Sequence, residues 1–292
     1  MVKGIDIHVH VPTPERYQSE RARERSAAMR AYFGTRATEQ RPIQDADELA
    51  DYYQKLDMMA VLLTTDAETV SGDPPVPMTY MAEVMNKHPN TFISFGSIDP
   101  HKGKAAIQKL DEIAGLGLRG LKFHAGSQRF FANEQQYYPI WERCQELGLI
   151  CLFHSGTTGV GAGQPGGGGI KLESMKPIPY IDDIAADFPE LKIILAHPSF
   201  PWDKDGLAVI RHKPNVFMDL SGWSPLYFDP LVVQYAKTIC QDKMLYGSDW
   251  PVVTPDRWLR DWVTHEVEPD VDRKIMLTNA AKLLGREDLI TD

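Results

Sequence analysis

The sequence contains few cysteines and no long apolar run. Its three cysteines, Cys144, Cys151 and Cys240, are scattered along 292 residues, and two of them lie in apolar segments. This pattern excludes the disulfide framework of small secreted proteins. No apolar run approaches the roughly 18 residues that a membrane-spanning helix needs. We therefore expect a cytoplasmic protein that does not enter a membrane.

An excess of basic residues is also missing. The chain has 31 lysines and arginines against 40 aspartates and glutamates, which gives a net charge of -9. This balance disfavours a surface for nucleic acid or for anionic membranes. The expected partner is a small-molecule substrate.

Two nucleotide-binding motifs are absent. No Gly-x-Gly-x-x-Gly follows the first predicted strand, and the glycine-rich segment 155–177 lacks the Gly-Lys-Ser/Thr ending of a phosphate loop. We interpret 155–177 as a mobile lid, with a flexible linker as the alternative. A second insertion, 11–44, is rich in arginine and glutamate. It fits a solvated arm or a subunit contact, or else a lid that binds an anion.

Short apolar runs alternate with helical patterns eight times along the chain. Near-continuous apolar runs, such as Ile193-Ile194-Leu195-Ala196, are typical of parallel strands that are covered on their outer face. Eight such units predict an α/β fold, a (β/α)8 TIM barrel, in one domain over 1–292. A doubly wound open sheet is the alternative. The predicted strands are 4–10, 60–64, 91–98, 118–124, 149–154, 192–197, 216–221 and 243–249.

Histidines recur at the ends of these predicted strands. In His8-Val9-His10 the two imidazoles share one face of the first strand, and two neutral imidazoles suit a divalent metal. His124, His154 and His197 end three further strands. The carboxyl ends of barrel strands converge on one site. The other four histidines, His88, His101, His212 and His265, are expected at the surface.

Asp249 supplies a carboxylate at the end of the eighth strand. With His8, His10 and His154 it would form a metal shell of nitrogen and oxygen ligands that leaves a position open for catalysis. Zn2+ is the first choice, and Mn2+ or Fe2+ would accept the same ligands. Asp249 would also take a proton from a metal-activated water. A salt bridge between Asp249 and Lys122 is the alternative.

The remaining candidates surround this shell. His197 is predicted to polarise a substrate carbonyl, and a second role as a metal ligand stays open. Lys122 and His124 share an inward face of the fourth strand. Lys122 could bind a substrate carboxylate, be carbamylated between two metals, or pair with Asp249 or Asp99. Trp202 and Trp250, with Trp223, could line the binding site of an aromatic or acyl substrate, or they could serve in ordinary packing.

In this order the motifs resemble the amidohydrolase superfamily, and in particular its amidohydrolase 2 branch. The segments that carry this resemblance are FPELK at 188–192, AHP at 196–198, GSDWP at 247–251 and NAAKLLG at 279–285. The resemblance implies a metal-dependent enzyme and a homo-oligomer, as a dimer. The segments GLKFH at 120–124, GAGQPGGG at 161–168 and PSFPW at 198–202 are similar to hydroxyphenyl β-ketoacyl-CoA hydrolases, which cleave a carbon–carbon bond with water.

Three functions follow as hypotheses. The first is hydrolysis of a carbonyl compound, such as an aryl or acyl carboxylate, a lactone or a β-ketoacyl thioester. The second is non-oxidative decarboxylation of an aromatic or muconate-type acid on the same ligands, with Asp249 protonating the ring carbon. This branch contains such decarboxylases, although they need not carry Lys122-Phe123-His124 on strand four. The third is a binding module with a structural metal.

Overall fold

A computed structural model describes residues 2–33 and 43–290, so part of the predicted insertion 11–44 lies outside the described residues. Its strands are β1 (Gly4–His10), β2 (Met58–Leu63), β3 (Phe92–Ser94), β4 (Gly120–Phe123), β5 (Ile150–His154), β6 (Ile193–Ala196), β7 (Val216–Asp219) and β8 (Met244–Leu245). The α-helices are α1 (Glu20–Phe33), α2 (Ala46–Lys55), α3 (Glu68–Ser71), α4 (Met78–Lys87), α5 (Lys104–Gly115), α6 (Ala125–Gln128), α7 (Tyr138–Glu146), α8 (Tyr180–Asp187), α9 (Asp203–His212), α10 (Pro230–Lys237), α11 (Pro255–Trp262), α12 (Pro269–Arg273) and α13 (Asn279–Leu284).

All paired strands are parallel and close into a barrel. Strands β1 to β3 form one sheet and β4 to β8 another, each in sequence order. Bridges between Gly96 and Leu121 and between Val9 and Trp250 join the two sheets at both seams. The predicted (β/α)8 barrel is confirmed.

Two apolar layers follow from strand alternation. Leu121, Phe123 and Cys151 belong to the layer between the strands and the helices, whereas Ile150, Leu152 and Ile194 belong to the barrel interior. The interior layer continues into Ala280, Ala281, Leu283 and Leu284 of α13. Helix α13 packs against β1 and β8. The carboxyl ends of the strands are left for polar side chains.

Strand β1 contains a bulge just where the histidines begin. Asp6 pairs with Ala60 of β2, but Val9 pairs with Leu62, so β1 has one extra residue over this stretch. A bulge re-aims the side chains that follow it. Ile5 and Ile7 face the barrel interior by strand alternation, and the bulge places His8, directly after Ile7, in a buried position beside Asp219.

The glycine-rich segment 155–177 contains two 3-10 turns, Pro165–Gly169 and Leu172–Met175. It packs against α6. The side chain of Met175 lies so close to Gly126 of α6 that a Cβ at this position would be only 3.0 Å from it. Its interpretation as a mobile lid stays a prediction. Among the described helices, none has both the length and the apolar character needed to cross a membrane.

Candidate metal centre

His8 is held at both of its ring nitrogens. Nδ1 lies 2.9 Å from Oδ2 of Asp219, and Nε2 lies 3.1 Å from Nζ of Lys122. Since a carboxylate only accepts, Nδ1 of His8 carries the hydrogen and Nε2 presents a lone pair. A carboxylate behind a histidine in this way is typical of metal-binding histidines. Burial lowers the pKa of His8 to about 3, so its imidazole is neutral at pH 7.

His10 and Asp249 complete the first group. Nε2 of His10 lies 3.0 Å from Oδ1 of Asp249, and Nε2 of His8 lies 3.4 Å from the same oxygen. Burial alone would raise the pKa of Asp249, but the hydrogen bond from His10 and the nearby His8 hold it below its ordinary value. Asp249 is therefore an ionised carboxylate between two imidazoles. The side chain of His10 is 41% exposed, so this group opens to solvent.

Ser221 links His8 to His197. Its hydroxyl donates to Oδ1 of Asp219, so its oxygen can only accept from Nδ1 of His197 at 2.8 Å. His197 consequently carries its hydrogen on Nδ1. Burial lowers the pKa of His197, which keeps the imidazole neutral and leaves Nε2 with a lone pair.

His154 faces His197 with a second lone pair. Nε2 of His154 donates to the carbonyl of Thr157 at 3.0 Å, which leaves Nδ1 without a hydrogen. That Nδ1 lies 3.2 Å from Nε2 of His197. Two lone pairs at this distance repel each other unless a proton or a metal cation lies between them. Burial also lowers the pKa of His154, which disfavours the proton.

Two groups of histidine and aspartate side chains have ligand atoms close enough together to bind a divalent cation. The ligand atoms of His8, His10 and Asp249 lie within 4.8 Å of one another, and so do those of His8, His197 and Asp219. The second group is already joined by its own hydrogen bonds through Ser221. The first group, with unprotonated His8 Nε2 and ionised Asp249, has the nitrogen and oxygen donors that Zn2+ and Mn2+ accept.

Two of the predicted catalytic residues have strained backbones. His197 has φ 70° and Asp249 has φ 70°, in the left-handed region that non-glycine residues avoid. Each such residue costs about 1–3 kcal/mol and persists only when its surroundings hold it. The amide of His197 donates to Oδ1 of Asp219 at 2.9 Å, and the amide of Asp249 donates to the carbonyl of His8 at 2.9 Å. Strain at these positions is typical of functional sites.

Lys122 lies in β4, and His124 directly follows this strand and precedes α6. Lys122 is fully buried, and burial lowers its pKa to about 8 despite the nearby Asp219 and Asp249. Its ammonium contacts His8 rather than Asp99. The His124 ring stacks on His154 with centroids 4.1 Å apart, and its Nε2 lies 3.0 Å from the hydroxyl of Thr158. His124 therefore connects β4 to the glycine-rich segment.

The tryptophans lie at different depths. Trp202 is half-buried, and the ammonium nitrogen of Lys176 lies over its ring at 5.5 Å from the ring centroid. Trp250 is buried in the layer between strands and helices, and its backbone carbonyl accepts from the amide of His10 at 2.9 Å. Trp223 is exposed and packs edge-to-face on Phe200 at 5.7 Å. Of the three, Trp223 and Trp202 present rings outside the core.

Three residues of the centre were not singled out from the sequence. Asp219 ends β7, and Ser221 lies two residues after it. Asp219 had the same sequence signal as Asp249, namely an acidic residue at the end of an apolar run. Asp6 had a related signal, because it is an acidic residue inside the apolar run of β1. The four remaining histidines lie outside the described metal-capable groups, with His88 paired to Asp47.

Comparisons with known proteins agree with the family that the sequence motifs resemble. The family model described as amidohydrolase (Amidohydro_2) matches residues 5–286. A 2-amino-3-carboxymuconate-6-semialdehyde decarboxylase of Dictyostelium discoideum is 29% identical over 76 residues. This match covers 26% of the chain and only 21% of that relative's length.

Solved structures share the barrel over almost the whole chain. An uncharacterized TIM-barrel protein of Bordetella bronchiseptica has a TM-score of 0.80 at 21% identity, covering 98% of this chain and 100% of that one. A probable 2-pyrone-4,6-dicarboxylic acid hydrolase of Acinetobacter baumannii has a TM-score of 0.63 at 13% identity, covering 97% and 100%.

A dihydroxybenzoic acid decarboxylase of Polaromonas sp. JS666, solved with manganese and an inhibitor, has a TM-score of 0.66 at 19% identity, covering 100% of both chains. At these identities the structures establish the fold. The family model covers nearly the whole chain, and the chain belongs to the amidohydrolase family.

Proposed function

We propose that this protein is a metal-dependent hydrolase that uses water to cleave a carbonyl-containing small molecule. The observation that carries the proposal is the position of Asp249. Its ionised carboxylate lies 3.0 Å from Nε2 of His10 and 3.4 Å from Nε2 of His8, on the solvent-facing side of a buried histidine cluster. A carboxylate that is already ionised is ready to accept a proton, which is the first requirement for activating water.

The proposed metal ligands are His8, His10, His154 and Asp249. A divalent ion bound there would lower the pKa of a water molecule and polarise a carbonyl oxygen. Zn2+ is the first choice, and manganese in a structural relative makes Mn2+ the second. Asp219 holds His8 with an unprotonated Nε2, which contacts the Lys122 ammonium and would exchange that contact for the ion. Thr157 holds His154 with an unprotonated Nδ1, but this nitrogen faces His197 and His154 lies outside the His8, His10 and Asp249 group.

The other side chains would transfer the proton and bind the substrate. Asp249 accepts the proton of the attacking water and passes it to the leaving group. Because Ser221 fixes the hydrogen of His197 on Nδ1, its Nε2 would accept a hydrogen bond from a substrate hydroxyl or a water rather than polarise a carbonyl. Lys122 provides a buried positive charge beside His8 for a substrate carboxylate. The exposed Phe200 and Trp223 rings offer an apolar wall for an aryl or acyl group.

Decarboxylation is the second candidate, favoured by the sequence match to a decarboxylase. There Asp249 would have to donate a proton to the substrate carbon, so it would have to be protonated first. Hydrolysis instead begins with Asp249 ionised, which is the state that its lowered pKa favours. This is why hydrolysis is the first proposal.

One labelled screen separates the candidates. The metal-loaded protein is incubated in H2(18)O with aryl lactones, β-ketoacyl thioesters and dihydroxybenzoates, and the products are analysed by mass spectrometry. Hydrolysis predicts one heavy oxygen in the product carboxylate. Release of carbon dioxide without label in the aromatic product would support decarboxylation instead. A His8→Ala variant must lose either activity, and a surface His212→Ala variant must keep it. Equal turnover by His8→Ala would refute both candidates.

A further inference from the structure

Asp6 joins β1, which carries the proposed ligand His8, to the segment after β8 that carries Asp249. Although it lies within β1, its side chain is fully buried. Its Oδ1 accepts from the amide of His8 at 3.1 Å and from the amide of Ser248 at 2.9 Å. One carboxylate oxygen therefore binds the backbone of β1 and the backbone of the segment that follows β8.

This link lies at the seam where the barrel closes. The β1 bulge removes regular pairing between Asp6 and Val9. Around it, the amide of Ile7 donates to the carbonyl of Tyr246 at 3.0 Å, and the amide of Asp249 donates to the carbonyl of His8 at 2.9 Å. Asp6 lies between these two bonds and satisfies amides that the bulge would otherwise leave buried without a carbonyl partner.

The orientation of Asp6 is itself fixed. The hydroxyl of Tyr53, on α2, donates to Oδ2 of Asp6 at 2.7 Å. Tyr53 is fully buried, so this bond anchors the carboxylate to the helical layer. A helix, β1 and the end of β8 thus meet at one side chain, next to the two residues that contribute a nitrogen and an oxygen to the centre.

We infer that Asp6 is a positioning residue that sets the distance between His8 and Asp249 and thereby the metal affinity of the centre. The inference rests on the proposed function, because it assumes that these two residues bind the ion. Asp6 acts through the backbone, so what it must supply is an acceptor at Oδ1. Asparagine supplies that acceptor and alanine does not.

Mn2+ binding to the metal-free protein tests this role. Dissociation constants are measured by calorimetry for the wild type, Asp6→Ala and Asp6→Asn, with circular dichroism to confirm folding. Outer-shell partners of metal ligands typically contribute 10- to 100-fold in affinity. We expect Asp6→Ala to weaken Mn2+ binding at least 10-fold and Asp6→Asn to stay within threefold of the wild type.

Asp99 provides the matched control. It is also a buried carboxylate, and it accepts from the amides of Thr69 and His101 in the loop after β3. Asp99→Ala should lower the unfolding midpoint while leaving Mn2+ affinity within threefold, which separates positioning from general stability.

The outcomes separate this inference from the proposed function. If the wild type binds no Mn2+ or Zn2+, the proposed function fails. If the wild type binds Mn2+ and folded Asp6→Ala binds it equally well, the positioning role of Asp6 is wrong. If Asp6→Ala does not fold, Asp6→Asn decides: binding within threefold supports the role, and a loss of 10-fold or more at an unchanged unfolding midpoint overturns it.

Discussion

Asp219 accepts a hydrogen bond from Nδ1 of His8 at 2.9 Å, across the interior of the barrel mouth from β7 to β1. This bond places the hydrogen of His8 on Nδ1 and leaves Nε2 unprotonated between the Lys122 ammonium and Asp249. Burial would raise the pKa of Asp219, but the neighbouring His8 and His197 hold it well below its usual range. The state of His8 that binds a metal is therefore prepared by a residue that does not itself need to touch the ion.

Replacing Asp219 by asparagine should weaken metal binding. An asparagine amide can donate to Nδ1 of His8 and so favour the tautomer with hydrogen on Nε2, which cannot coordinate. We expect Asp219→Asn to bind Zn2+ about 10- to 100-fold more weakly in a competition assay with a chromogenic chelator. Asp242→Asn, at an exposed ion pair with Lys274, is the control and should bind normally. Wild-type affinity in Asp219→Asn would show that the tautomer of His8 is set elsewhere.

Gly222 should be essential for the position of His197. It has φ +81°, and a Cβ there would lie 2.4 Å from Nδ1 of His197. We expect Gly222→Ala to displace the imidazole and to lower kcat at least 10-fold. Gly285→Ala is the matched control, because Gly285 has φ +67° with no atom within 4 Å of its Cβ. It should lose about 1 kcal/mol of stability and keep its activity. Equal activity of both variants would mean that His197 tolerates displacement.

The metal-free protein should lose stability as the pH falls from about 6.5 to 5. Burial lowers the pKa of His8 and of His124 to about 3 from an ordinary 6.5, and it also lowers those of His154 and His197. Between these values the unfolded chain binds more protons than the folded chain, so acidification favours unfolding. Each such histidine contributes up to about 1.4 kcal/mol per pH unit.

Two aspartates oppose this trend. Burial raises the pKa of Asp6 to about 6 and also raises the pKa of Asp203, so the folded chain holds protons there that the unfolded chain releases. These two aspartates act against four histidines, so we expect the net effect to remain a loss. Urea midpoints of the metal-free protein, measured between pH 7.5 and 5, check the sign. A midpoint that stays constant or rises on acidification would contradict the buried, neutral state of the cluster.

The barrel could be predicted from the sequence because eight apolar runs recur with helices between them. Positions were predicted best where a side chain lies in the last three residues of a strand, as for His8, His154 and Lys122. Strand ends were less accurate: 243–249 was predicted as the eighth strand, but β8 ends at Leu245. Regular pairing of β8 with β7 ends at Leu245, and no residue type in the sequence indicates that end.

The side-chain direction of Asp6 could not be predicted from the sequence for a different reason. Alternation along β1 places Asp6 on the face of His8 and His10, but the extra residue of the bulge shifts the alternation. The bulge depends on pairing with β2 and β8, which are distant in sequence. The hydrogen bonds that select the histidine tautomers likewise come from β7 and from the loop after β5. Such contacts follow from closure of the barrel rather than from local sequence.

A crystal structure of the Zn2+-loaded protein, with anomalous data at the zinc edge, tests the central claim most directly. The account predicts one strong peak at about 2.0–2.2 Å from Nε2 of His8, Nε2 of His10 and a carboxylate oxygen of Asp249. It further predicts that Nδ1 of His154 turns towards the same ion, with one position left to solvent. Fully loaded protein with no peak between His8 and Asp249, or with the ion elsewhere, would contradict it.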